Sequence, residues 1–168
     1  MLLPTDDGAR HINVYSKGNT ALGRFLSNFT RKWIDVPCPD GQTRAFASVE
    51  ALWYWLGVSH HPDEAELRGA SGYAAKHLGR QMTRDVGSRH VEDFEAIICQ
   101  AIRLKVDATP RARRALADST LPFAHYYVMQ GRVMDVSGKY PWLLSLFDTL
   151  REECRADPAD RPHARHRR

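Results

Sequence analysis

Apolar positions along this chain recur at different periods, and each period predicts an element. Ile12-Asn13-Val14-Tyr15 reads as a short strand entering a loop that holds Gly18 and Gly23. The stretch from Arg31 to Gln42, punctuated by Pro37, Pro39 and Asp40-Gly41, reads as a strand, a turn and a return. Ser48 is a good N-cap for the strongly apolar run from Val49 to Leu56, which predicts a buried helix. His60 to Asp63, with Pro62, reads as loop. Ser71 can cap a further helix running to about Leu78, with Gly79 near its end. The clearest periodic segment holds Val91, Phe94, Ile97, Ile98, Ala101, Ile102 and Lys105, an amphipathic stripe that must face a core.

Thr109-Pro110 supplies a cap and a first-turn proline for a short helix to about Ala117. Phe123 to Val128 and Arg132 to Val136 flank Met129-Gln130-Gly131 like the arms of a hairpin. Pro141 opens a last helix with Trp142, Leu143, Leu146, Phe147 and Leu150 on one side, fading near Glu153. These elements predict an α+β fold: a single, mostly helical domain with a small β-element over residues 1–154.

Composition narrows the class. At 168 residues, with 43% hydrophobic and 26% charged positions, the chain fits one soluble domain with a sizeable core. No apolar run approaches the ~20 residues needed to span a bilayer. The start, Met1 to Asp7, lacks the basic and apolar regions of a signal peptide, so a cytoplasmic location is expected. Cys38, Cys99 and Cys154 form no C-x-x-C spacing and suggest neither a disulfide framework nor a zinc knuckle. Cys99 reads as a small core residue and Cys38 as loop. His60-His61-Pro62-Asp63 has no helical ligand pair, so no metal is expected. No dinucleotide fingerprint, P-loop or nucleophile elbow occurs.

The net charge of +4 is uneven. Residues 155–168 carry five arginines against two aspartates, which leaves the remainder close to neutral. This basic end reads as a disordered tail that adds at most weak, salt-sensitive attraction to nucleic acid.

Three short stretches set one polar or charged residue among apolar neighbours: Leu26-Ser27-Asn28-Phe29, Phe46-Ala47-Ser48-Val49-Glu50-Ala51 and Ala75-Lys76-His77-Leu78-Gly79-Arg80. Glu50 falls in the first turn of an apolar helix, where the positive helix end favours its charge. A carboxylate beside an apolar cleft can stabilise the positive charge that builds on a sugar ring as a glycosidic bond breaks. An ordinary first-turn glutamate satisfying orphan amides has the same signature. Lys76 suits a nucleophile if partly buried, and a solvated helix lysine otherwise.

Arg80 and Arg24 are candidate phosphate clamps. Asn28 can both donate to and accept from a ribose hydroxyl, or simply form a turn. Of Trp53, Tyr54 and Trp55, one can stack a base; all three cannot share a helix face. His125 and Tyr127 alternate with Tyr126 on a predicted strand, so the first two share a face.

In their order, these stretches resemble the NADAR or YbiA-like N-glycosidase family, whose members carry L/F-S-N-F, F-x-S/T-V-E and A-K-x-L-G-R motifs. A later A-x-x-x-K helix, here Ala101 to Lys105, completes the pattern, and the similarity extends over about residues 12–153. The resemblance implies a compact α+β enzyme that cleaves N-glycosidic bonds of ribose-phosphate compounds without metal or redox cofactor. Substrates of such relatives include ADP-ribose attached to guanine in nucleic acid and ribosylamino-pyrimidine intermediates.

By position, Glu50 and Lys76 would be catalytic, with Asn28, Arg24, Arg80 and Trp53 binding substrate. Many relatives carry a late V-E-x-S-type strand and a W-G pair, where this chain has Phe123 to Val128 and Tyr140-Pro141-Trp142. His125 could replace the missing acidic residue as a proton carrier. That altered strand also fits a module that senses ADP-ribose or a related nucleotide without turnover. A nucleic-acid-binding protein acting through the basic tail is a third reading.

Overall fold

A computed structural model describes residues 2–157. The chain is α+β and mostly helical, with three two-stranded sheets and seven α-helices among the described residues. It falls into two units, one made of Leu26–Lys105 and the other of Met1–Phe25 with Val106–Arg168.

In the central unit, β2 (Ile34–Pro37) pairs antiparallel with β3 (Thr43–Phe46), Ile34 opposite Phe46 and Pro37 opposite Thr43. Ile34 and Val36 are buried while Asp35 and Pro37 are exposed, the period-two alternation of a half-buried strand. Gly41 turns the hairpin at a positive φ. Helix α2 (Val49–Val58) follows. The Ser48 side chain accepts from the Ala51 amide at 3.1 Å and donates to the Ala70 carbonyl at 3.1 Å. One hydroxyl thus caps the helix and ties its start to the segment ahead of α4.

Two helices in this unit differ from expectation. A short α3 (Glu64–Arg68) follows the His60–Asp63 turn; its five residues are too few to carry a periodic signal. Helix α4 runs from Gly72 to Val86, well past Gly79, and ends at Gly87 with φ +75. Gly79 is a packing glycine: a Cβ there would sit 2.2 Å from Cγ of Tyr54 on α2, so its absence lets α2 and α4 touch. Helix α5 (Phe94–Asp107) buries Ile97, Ile98, Ala101, Ile102 and Lys105, as the stripe requires. Cys38 is buried, whereas Cys99 is only half-buried.

In the other unit, β1 (Ile12–Asn13) pairs parallel with β4 (Phe123–Ala124). Helix α1 (Ala21–Leu26) occupies part of the expected loop. Gly23 lies within it, because a Cβ at this position would fall 2.2 Å from the Asn13 carbonyl oxygen. The predicted Phe123–Val128 strand is broken at His125, and a separate β5 (Tyr126–Met129) forms a hairpin with β6 (Arg132–Asp135). Gln130 and Gly131 turn it, both at positive φ.

Asn13 explains the break. Its side-chain amide donates to the Tyr126 carbonyl and accepts from the Tyr126 amide, both at 3.0 Å, in place of a neighbouring strand. Helices α6 (Pro110–Asp118) and α7 (Pro141–Ala156) complete the unit. α7 buries Leu143, Leu146, Phe147 and Leu150 and carries Arg155 in its last turn. The rest of the expected tail, from residue 158, lies outside the described residues.

Candidate functional site

The central unit brings Asn28, Glu50, Lys76 and Arg80 into one electrostatic neighbourhood. Glu50 stands in the first turn of α2, and its backbone amide donates to the Asn28 carbonyl at 3.0 Å. The two motifs therefore meet through a backbone hydrogen bond that satisfies one of the orphan donors of the helix start. Burial pushes the Glu50 carboxyl up to about 7, while the charges of Lys76 and Arg80 pull it back. Among the described residues the Glu50 carboxylate has no hydrogen-bond donor and no ion pair within 4 Å. A half-buried acid that titrates near neutrality can therefore exist in either form at physiological pH.

Lys76 and Arg80 are one helical turn apart on α4 and share a face. The Lys76 ammonium sits 5.8 Å from the centre of the Phe29 ring, and Phe29 meets Tyr73 edge-on at 5.1 Å. Tyr73 lies one turn before Lys76 and is 59% exposed, so an open aromatic ring adjoins the amine. Arg80 is exposed.

The ring expected to stack a base packs against a second aromatic side chain. Trp53 is half-buried and meets Phe94 edge-on at 4.8 Å. Tyr54 is spent on Gly79, and the Trp55 indole donates to Glu64.

In the sequence Lys105 is a member of an apolar stripe and the lysine of the A-x-x-x-K helix, with no partner indicated. It is fully buried, and its Nζ donates to the carbonyls of Leu26 at 3.2 Å and Ser27 at 3.1 Å, directly ahead of Asn28. The signal that could have exposed it is the lysine itself, since an amine on a core-facing stripe needs polar partners. Burial pulls its pKa down to about 7.

Arg24 and His125 belong to the other unit. The exposed Arg24 guanidinium donates to the carbonyls of Gly18 at 2.7 Å and Asn19 at 2.9 Å, so here it braces a loop. His125 lies between β4 and β5, with its backbone held by Ser137 and Val136 and its ring 6.4 Å from that of Tyr127. Burial lowers its imidazole pKa, with the Asp135 carboxylate acting the other way.

Among the described residues no cluster of three metal-ligating side chains occurs, and no helix is long and apolar enough to cross a membrane.

No protein-family model matches the chain, and no curated protein matches it in sequence. Among solved structures it is similar to the NMR structure of the E. coli protein YbiA. That alignment has a TM-score of 0.60 at 20% identity and covers 94% of this chain and 92% of that one. The chain has a YbiA-like α+β fold.

Proposed function

We propose that this protein is a NADAR-type N-glycosidase, located in the cytoplasm. It cleaves the N-glycosidic bond of a ribose-phosphate compound, such as ADP-ribose attached to guanine in nucleic acid or a ribosylamino-pyrimidine phosphate. One observation carries the reading most: a half-buried carboxyl at a helix start, its pKa pushed up to about 7 by burial, beside a lysine and an arginine. The family motifs and the YbiA-like fold support it.

In this reading Glu50 works in both of its forms. As the acid it gives a proton to the ribose ring oxygen as the C1–O bond opens and the base nitrogen lone pair moves onto C1. As the carboxylate it takes a proton from Lys76, whose amine then adds to C1. The C1–N bond to the base breaks and the base leaves with a proton. The Schiff base left on Lys76 is hydrolysed by water to the free sugar aldehyde. Asn28 holds a ribose hydroxyl and Arg80 holds phosphate. Tyr73, on the face that bears Lys76, offers its ring to the departing base.

The test is release of free base and ADP-ribose from ADP-ribosylated guanine DNA or RNA, and of base from ribosylamino-pyrimidine phosphates. Borohydride added during turnover should mark Lys76 covalently. Glu50→Gln and Lys76→Ala should fold and lose turnover. Full activity in both variants overturns the roles; tight binding of intact ligand with no product identifies a sensor instead.

A further inference from the structure

Lys105 is the most heavily buried charged group in the central unit, and the steps above do not use it. It reaches from α5 to the carbonyls of two consecutive residues, Leu26 and Ser27, across 79 and 78 positions of sequence. The next carbonyl along, that of Asn28, receives the Glu50 amide. The following residue, Phe29, carries the ring beneath the Lys76 ammonium. Four consecutive residues are thus tied to three functional residues: Leu26 and Ser27 to Lys105, Asn28 to Glu50, and Phe29 to Lys76. The Ser27 hydroxyl adds a local tie by accepting from the Phe29 amide at 3.3 Å.

A buried lysine at a core position costs stability against a well-packed apolar residue, so core filling alone does not account for it. Methionine would fill the same space without an amine.

We infer that Lys105 is a positioning residue: by tying Leu26 and Ser27 down it presses the Asn28–Phe29 segment over the start of α2 and keeps Glu50 out of water beside Lys76 and Arg80. This rests on the reading of Glu50 as the reacting carboxyl, but its first consequence is independent of turnover. Release of the segment hydrates Glu50, and its pKa falls from about 7 toward that of a free glutamate. Lys76 and Arg80, which already favour the carboxylate, reinforce that fall.

The experiment is a side-chain carboxyl titration of Glu50 by NMR in the full chain, wild type against Lys105→Met. The expected result is a midpoint lower by about one pH unit or more in Lys105→Met, with helix content retained. With an N-riboside substrate, kcat should fall at least about tenfold while KM changes less, as for an interaction that orients a reacting group. An unchanged midpoint in folded Lys105→Met overturns the inference. A lowered midpoint in a chain that cleaves no substrate sustains the positioning role and sinks the glycosidase reading instead.

Should Lys105→Met not fold, amide hydrogen exchange in the wild type decides. A tied segment protects the Glu50 amide as well as the interior of α5; exchange through a local opening of that amide overturns the tie.

Discussion

Tyr54 lies across Gly79 so closely that a Cβ at position 79 would fall 2.2 Å from its Cγ and 2.4 Å from its Cβ. Glu50 is one turn before Tyr54 on α2, and Lys76 and Arg80 flank Gly79 on α4. The close approach of the two helices therefore sets the electrostatic contact between the carboxyl and the two cations. Gly79→Ala should destabilise the chain by about 1–3 kcal/mol through overpacking. An exposed helical glycine would instead gain about 1 kcal/mol from the same change. Urea unfolding of the variant checks the sign, and stabilisation would show that the helices are not in contact at this point.

Ser48 performs two tasks with one hydroxyl, accepting from Ala51 and donating to Ala70. Ser48→Ala should cost about 2 kcal/mol, the loss of a cap together with an unsatisfied buried carbonyl. Ser48→Asp should not restore the loss, although aspartate caps an isolated helix as well as serine does. Its carboxylate cannot donate, and it would face the Ala70 carbonyl. Equal stability of wild type and Ser48→Asp in denaturant melts would reduce Ser48 to an ordinary cap.

The carboxyl of Glu50 makes stability depend on pH in a predictable direction. Its folded pKa is raised from 4.5 to about 7, so the native state holds a proton that the unfolded state has lost between these values. Stability from this group is complete below about pH 4.5 and is lost as pH rises through about 7. The full shift corresponds to about 3 kcal/mol. Glu50→Gln should therefore match the wild type at pH 4 and exceed it above pH 7, by up to about that amount. A wild-type advantage at pH 8 in thermal or urea melts would mean that the carboxylate is well solvated in the native state.

The sequence discloses some of this arrangement and hides the rest for definite reasons. Ser48 and the apolar run behind it announce α2, and Glu50 follows because the first turn of a capped helix has a fixed place. Lys76 and Arg80 are spaced at i and i+4, so their shared face follows from helix geometry. Gly79 misleads: a glycine after an apolar helix reads as a stop, yet Gly87 ends α4 and Gly79 makes room for Tyr54. Residue type nominates Trp53 for stacking a base, whereas its contact with Phe94 is set by tertiary packing and has no mark in the sequence. The bonds that Lys105 makes were hidden more deeply. Its partners are backbone carbonyls, which look alike at every position, so no side-chain pattern at Leu26 or Ser27 could announce them. His125 was placed on a continuous strand because its neighbours favour β structure. The Asn13 side chain, more than a hundred residues earlier, takes the Tyr126 backbone groups and interrupts it.

Tyr73 offers a test that separates substrate contact from structure. It is 59% exposed, it touches Phe29 edge-on, and Lys76 follows it by one turn. Removing an exposed ring costs little stability, whereas base–aromatic stacking is worth about 1–3 kcal/mol. Tyr73→Ala should therefore unfold within about 0.5 kcal/mol of the wild type and bind a nucleobase-bearing ligand about tenfold more weakly by calorimetry. Tyr73→Phe should keep nearly all of the affinity, because stacking uses the ring face and not the hydroxyl. Trp53→Ala should show the reverse pattern, losing stability through the Phe94 contact with affinity little changed. Equal affinities of wild type and Tyr73→Ala would remove this ring from the binding surface and return the role to another aromatic group.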